Sequence, residues 1–308
     1  MSEKRKQKKS FGARFVGKIL PSVILWVGGI IMIYPLFFGL MGSLTTNEEF
    51  MQTTFLPIPK TPFREMRNFI IVFTDRELYT SFLVTVLRLA YGFITTVFTS
   101  VLGGYVFARM RFPFRDQLFM LLMVGLMIPG VAMMVPNYVF LKSFPLAGGN
   151  NILGQGGSGF INNPLILFIP GLISSYNIFL CKQAFVSMGG EYKEAADVDG
   201  AGFLRIVFGI YMPMIKPILA VIFLNSFLGM WNDYMFSLIY LPQLKAWHSI
   251  GTVSTNLASY YMSSGGTGLT QYPKVFAIGI VMMIPPVLVY VLMQKQFVQG
   301  LTMGGVKG

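Results

Sequence analysis

Residues 187–217 read SMGGEYKEAADVDGAGFLRIVFGIYMPMIKP, a polar segment set between two long apolar runs. Gly189 and Gly190 loosen the chain as it leaves the first run. Residues 191–198 are good helix formers, with acids in the first turn where the helix dipole favours them, so a short helix is expected there. Gly200 and Gly202 end it, residues 203–210 resume an amphipathic stretch, and Pro213 and Pro217 punctuate entry into the next run. Ala195, Ala196 and Ala201 are small enough for another surface to approach closely, while Glu194, Asp197 and Asp199 offer carboxylates to a basic partner. An amphipathic helix resting on lipid usually carries Lys and Arg on its polar face. Here four acids precede Gly200, which favours docking to a protein groove.

The flanking runs belong to a chain of 308 residues that is 54% hydrophobic and 12% charged, with a mean hydropathy of +0.63. A soluble domain carries about 25% charged residues, so an ordinary soluble enzyme and a disordered chain are both excluded. A helix needs about 20 residues to cross the hydrocarbon of a bilayer. Six stretches qualify: 19–42, 78–108, 117–141, 164–181, 217–240 and 275–294. None alternates in polarity as the strands of a membrane barrel do. The expected fold is an all-α membrane protein with six transmembrane helices. It divides into a basic N-terminus (1–18), a transmembrane domain (19–294, with the loop 183–216) and a C-terminal tail (295–308). The basic start resembles a signal peptide, but the run after it is too long for an h-region of about 7–15 residues; a retained signal anchor is expected. Lys and Arg set orientation. Sixteen fall on the side of the N-terminus and loop 183–216 and seven on the other, so both termini are expected to be cytoplasmic. Topology thereby accounts for the net charge of +12 without nucleic acid.

One cysteine (Cys181) and one histidine (His248) exclude a disulfide framework, a cysteine metal cluster and a histidine-centred active site. No metal site is expected. His248, beside Trp247, reads as a solvated residue of an external loop. The external loop 43–77 is marked by Pro57, Pro59 and Pro62, and the Gly- and Asn-rich residues 142–163 read as a flexible loop. Prolines at 35, 129, 136, 170, 285 and 286 fall within spans, where each removes a backbone donor.

The loop resembles the EAA loop of ATP-binding-cassette importer permeases. That pattern is E-A-A, three residues, G, nine residues, I, one residue, L-P. Here it runs Glu194-Ala195-Ala196, Gly200, Ile210, then Met212-Pro213, with Met in place of Leu, a tolerated volume swap. Residues 194–202 (EAADVDGAG), 231–241 (WNDYMFSLIYL) and 298–308 (VQGLTMGGVKG) resemble the carbohydrate branch, in particular the smaller permease subunit of the maltose type. The resemblance implies a type I importer permease fold in the cytoplasmic (inner) membrane of a prokaryote. It implies that Glu194, Ala195, Ala196, Gly200 and Pro213 couple the spans to an ATPase, and that Gly304, Gly305 and Lys307 of the tail contact it. The implied partners are a second permease, two ATPase subunits, an extracytoplasmic solute-binding protein, membrane lipid and a sugar. The chain has no G-x-x-x-x-G-K-[ST], so it is expected not to be an enzyme and to bind no cofactor; ATP and Mg belong on the partners.

Arg88 and Asp233 are the ionisable residues within spans, where a charge is costly unless it is paired or faces a cavity. One reading pairs them across helices. Another turns Asp233 and Asn232 toward the solute, with Trp231 or Tyr234 stacking on a sugar ring and Asn225 on the same side. The sequence permits both. A permease of the same architecture for a non-sugar solute and an ion-coupled secondary transporter are the alternatives. The latter usually shows inverted repeats, and none is seen.

Overall fold

The computed structural model describes residue 17 and residues 19–53, 55–169, 173–263 and 269–305, with side chains to residue 296. Every regular element among the described residues is helical. Apart from the 3₁₀ turns Pro164–Leu167 and Lys245–Trp247 and the helical turn Met212–Met214, these are in chain order α1 (Leu20–Ser43), α2 (Asn47–Met51), α3 (Pro62–Glu65), α4 (Arg67–Thr74), α5 (Arg76–Arg109), α6 (Arg115–Met127), α7 (Met134–Lys142), α8 (Ser175–Ser187), α9 (Glu191–Val198), a π-helix (Arg205–Tyr211), α10 (Lys216–Trp231), α11 (Met235–Tyr240), α12 (Ile250–Met262) and α13 (Tyr272–Gly305). They fall into two compact units, 1–74 with 257–283 and 75–256 with 284–308.

In the first unit, α1 is long and apolar, and Pro35 lies inside it. Its end is pinned by Asn68, whose Nδ2 donates to the carbonyls of Ser43 (2.9 Å) and Thr45 (3.3 Å). Thr46 and Glu49 then form a reciprocal capping box that starts α2. Gly42 permits a close approach, since a Cβ there would stand 3.0 Å from the Phe276 ring.

In the second unit the framework is α5 packed on α8. Gly104 makes this possible: a Cβ at that position would lie 2.4 Å from Cys181 Cβ and 2.9 Å from the Lys182 amide nitrogen. Small residues let membrane helices approach closely where burial of apolar area gives little drive. Asp75 caps α5 by accepting from the Leu78 amide (2.9 Å), and Ser174 caps α8.

Among the described residues three helices are long and apolar enough to cross a membrane: Leu20–Ser43, Arg76–Arg109 and Tyr272–Gln296. The other three stretches are not the unbroken helices the sequence suggests. The third divides into α6 and α7 around a turn containing Pro129, with Pro136 in the first turn of α7, where its missing donor costs least. The fourth is one 3₁₀ turn (Pro164–Leu167) followed by α8; Pro170 lies outside the described residues. The fifth is α10 and α11 with a break at 232–234, and α10 meets the preceding Arg205–Met214 segment at a bend of 84°.

Two loops also depart from expectation. The Gly- and Asn-rich segment is densely hydrogen-bonded rather than a loose connection. Asn150 is buried, its Nδ2 donates to the Lys142 and Phe144 carbonyls, and its Oδ1 accepts from the Gly157 amide. Gly148, Gly154 and Gly159 take positive φ there, with backbone about 2 Å from where a Cβ would be. His248 is buried (5% exposed), not solvated, and its Nε2 lies 2.9 Å from the Leu241 carbonyl. Its neighbours close the break in the fifth stretch.

Candidate functional site

The loop after α8 folds as its sequence suggests. α9 spans Glu191–Val198, with Glu191 and Glu194 in its first turn. It ends in a Schellman motif: the Gly200 amide donates to Asp197 O (3.1 Å) and the Ala201 amide to Ala196 O (2.9 Å). That geometry places Gly200 at φ +70°, with open space around its missing Cβ. The requirement for glycine is therefore conformational rather than steric. Ala196 and Ala201 pack inward on the core, while Glu194, Ala195 and Gly200 are exposed. Tyr192, Ala195 and Val198, spaced by three, present an exposed face; Val198 is 88% exposed. Lys193 pairs with Asp197 at 2.5 Å, and that hydrogen bond raises the lysine above its usual range.

The mount of α9 is closely packed. Tyr105, Phe185 and Tyr211 are all buried and meet edge to face, with centroids 5.1–6.1 Å apart. Arg109, the last residue of α5, donates from Nη2 to the carbonyls of Phe185 (2.7 Å), Met188 and Gly189 (3.1 Å). A helix C-terminus leaves carbonyls unmet and carries partial negative charge, and a guanidinium answers both. The chain entering α9 is thus tied to the end of α5. Pro213 is exposed in the short helical turn after the π-helix, just before the 84° bend.

The break in the fifth stretch forms the second candidate site. Its freed backbone groups are met inside the protein. Asp233 Oδ1 accepts from the Phe236 amide (3.0 Å), Ser249 Oγ donates to Asp233 O (2.7 Å) and Thr252 Oγ1 donates to Tyr234 O (2.7 Å). Gly251 lets this strap lie close, because a Cβ there would be 2.9 Å from Asp233 O. Thr85 Oγ1 on α5 accepts from the Ile250 amide at 2.8 Å. Arg88 Nη1 donates to Asp233 Oδ2 at 2.9 Å, and its guanidinium stands 4.7 Å from the centre of the Phe236 ring. The paired reading of these two charges therefore holds.

Asp233 also lines a cavity of about 550 Å3 with Asn137, Phe140, Phe236 and Tyr240. Pairing with Arg88 and facing a cavity are not exclusive, because Oδ1 and Oδ2 have different partners. The other expected path residues lie elsewhere. Trp231 is buried and stacked on Phe227 (5.6 Å, 14°), whereas Asn225, Asn232 and Tyr234 are exposed and outside the cavity lining. Asn137, Phe236 and Tyr240 were not singled out from sequence; only their helical positions beside Pro136 and Asp233 hint at them. Gly304 and Gly305 of the tail end α13, and Lys307 lies outside the described residues. Among the described residues no group of three or more His, Cys, Asp or Glu side chains could hold a metal ion.

Apolar helices long enough to span a membrane, a broken stretch satisfied from within and a short exposed helix stand together in this fold, as in a membrane transport protein. The chain belongs to the family of binding-protein-dependent transport system inner membrane components, matched over residues 100–303. It is 28% identical to the sn-glycerol-3-phosphate transport system permease protein UgpE of Pectobacterium atrosepticum, over 92% of this chain and 95% of that one. It is 32% identical to the lactose transport system permease protein LacG of Rhizobium radiobacter, over 70% and 71%. It is 28% identical to the polygalacturonan/rhamnogalacturonan transport system permease protein YtcP of Bacillus subtilis, over 91% and 94%. The fold matches a chain of a bacterial ABC transporter involved in the import of the acidic polysaccharide alginate, with a TM-score of 0.77, 22% identity and coverage of 93% and 98%.

Proposed function

We propose that this chain is the permease subunit of an ATP-driven importer that moves a sugar or oligosaccharide into a prokaryotic cell. It crosses the membrane six times with both termini inside; the broken third, fourth and fifth stretches count as crossings. It works with a second permease, two ATPase subunits and an external solute-binding protein. The observation that carries the reading is α9: a short helix with an exposed Tyr192–Ala195–Val198 face, ended by a glycine-dependent motif and anchored through Arg109 to α5. Such a helix suits a cleft on an ATPase subunit. ATP binding biases two states of the assembly by its different affinity for each, and the tie from α9 to α5 carries that bias toward Asp233. Arg88 and Arg109 lie on one helix, about 30 Å apart at 1.5 Å per residue.

The cavity at Asp233 combines aromatic walls with a carboxylate and an amide, a lining that suits a sugar ring and its hydroxyls. Lactose and polygalacturonan/rhamnogalacturonan in the names of two relatives support a sugar; the sn-glycerol-3-phosphate relative marks the non-sugar alternative. The test is affinity purification of the tagged chain from its native membrane in mild detergent, followed by mass spectrometry. A second multi-span permease and an ATP-binding subunit are expected to come with it. Recovery of the chain alone, even after gentle crosslinking, sinks the proposal.

A further inference from the structure

Between α5 and α6 the chain turns over residues 110–114, directly after a helix long and apolar enough to cross a membrane. Phe112 packs on the fold: its ring meets Phe107 at 5.9 Å, and Phe107 meets Phe119 at 5.5 Å. Phe114 does the opposite. It is 72% exposed and takes φ +60° with ψ +16°, the left-handed region that a bulky residue enters only at a cost. A glycine would meet that backbone requirement freely. The fold gains little from so exposed a ring, and strain of this kind points to a functional contact.

Arg111 and Arg115 line one cavity of about 380 Å3 with Phe112, Phe114, Asp116 and Gln117. Arg115 Nε is met by Asp116 Oδ1 at 3.0 Å, whereas Arg111 is exposed and has no ion pair among the described residues. The wall therefore carries one unmatched positive charge and calls for one negative charge. Phe114, Leu118 and Leu121, spaced by four and three, are all exposed, so an apolar stripe leaves this cavity along α6. An inorganic anion would leave the stripe uncovered, and an apolar chain alone would leave Arg111 unmatched. An acidic protein surface matches the charge but not a stripe that runs on into the third apolar stretch. A phospholipid with an anionic head answers both demands, since a phosphate suits a guanidinium and an acyl chain suits the stripe. We propose that the turn between α5 and α6 is a binding site for an anionic phospholipid, whose phosphate is held by Arg111 and Arg115 and whose acyl chain lies along Phe114, Leu118 and Leu121. It rests on the reading of the chain as a membrane permease and not on the solute.

The test uses the intact importer in nanodiscs of phosphatidylcholine, doped with either phosphatidylglycerol or phosphatidylcholine that carries a diazirine in its acyl chain. After irradiation, mass spectrometry locates the label. Phosphatidylglycerol is expected to label residues 118–121 about fivefold more than phosphatidylcholine does, and Arg111→Gln to remove most of that preference, the factor expected of one basic side chain at an anionic surface. Asp116→Asn, which makes the wall more positive, is expected to raise the label. Phe114→Gly is expected to lower it without lowering the melting temperature of the complex, because glycine relieves the left-handed backbone. Equal labelling by the two lipids, or labelling unchanged in Arg111→Gln, overturns the site. So does label displaced by inorganic phosphate at matched ionic strength, which would make it a site for soluble anions. Label that appears only after the ATPase subunits are stripped away also overturns it, because a protein then covers the turn. Label on Leu20–Ser43 from both lipids tests the membrane reading itself: its absence removes that reading, whereas its presence without a preference at residues 118–121 loses only this site.

Discussion

Arg88 and Asp233, 145 residues apart in sequence, meet at 2.9 Å where the fifth apolar stretch breaks. α10 ends at Trp231 and α11 begins at Met235, and the aspartate between them serves both its own backbone and a cation on α5. The break is therefore a built feature, and its carboxylate is held at the cavity wall.

Removing one partner strands the other. Asp233→Asn and Arg88→Met are each expected to lower stability by about 3 kcal/mol, the usual cost of an orphaned buried charge. The double replacement Arg88→Met with Asp233→Leu should recover most of that loss in detergent melting curves. Uptake is expected to remain at least tenfold down in all three, because the cavity has lost its carboxylate or its alignment. Wild-type uptake by Asp233→Asn excludes Asp233 from the path.

Gly200 tests the conformational argument. Its φ of +70° is open to Asn more readily than to other side chains, and nothing lies within 4 Å of the missing Cβ. Gly200→Leu is expected to leave assembly in the membrane intact and to cut uptake severely, with Gly200→Asn retaining far more. Equal uptake by both contradicts the role of the Schellman turn.

Arg109 ties α9 to α5 through three carbonyls. Arg109→Gln is expected to keep ATP hydrolysis by the assembled importer while reducing solute moved per ATP, and Arg109→Lys to restore it only in part because the planar fork is lost. A parallel fall in hydrolysis and uptake points to misfolding instead.

Gly104 tests the packing of α5 on α8. Even Gly104→Ala places a Cβ 2.4 Å from Cys181 Cβ. A loss of about 1–3 kcal/mol, typical of overpacking, is expected in thermal melts, and Gly104→Val should not accumulate in the membrane.

Much of this was readable because it is local. The acids, the glycine and the prolines of residues 191–217 fix α9, its end and the following bend within a few residues. The choice between pairing and path for Arg88 and Asp233 was also visible, because charges are so rare in the spans. What escaped depends on contacts distant in sequence. Arg109 reads as one more cytoplasmic basic residue until α8 is seen to end beside it. Hydropathy averages over the turn at Pro129 and the break at Asn232, so both stretches look continuous. Burial of His248 follows from the strap that repairs that break, and the order of the Gly- and Asn-rich loop follows from the buried amide of Asn150. Trp231 beside Asp233 suggested a stacking platform, but its place on the helix turns it to Phe227.

The most direct test of the central claim is a photo-crosslinkable residue placed at Val198, with the importer held either nucleotide-free or with ATP under conditions that block hydrolysis. A single crosslinked product with the ATPase subunit, whose yield or position changes with nucleotide and which Gly200→Leu weakens, is the predicted result. Crosslinking to lipid alone, indifferent to nucleotide, would mean that α9 rests on the membrane and does not couple the permease to ATP.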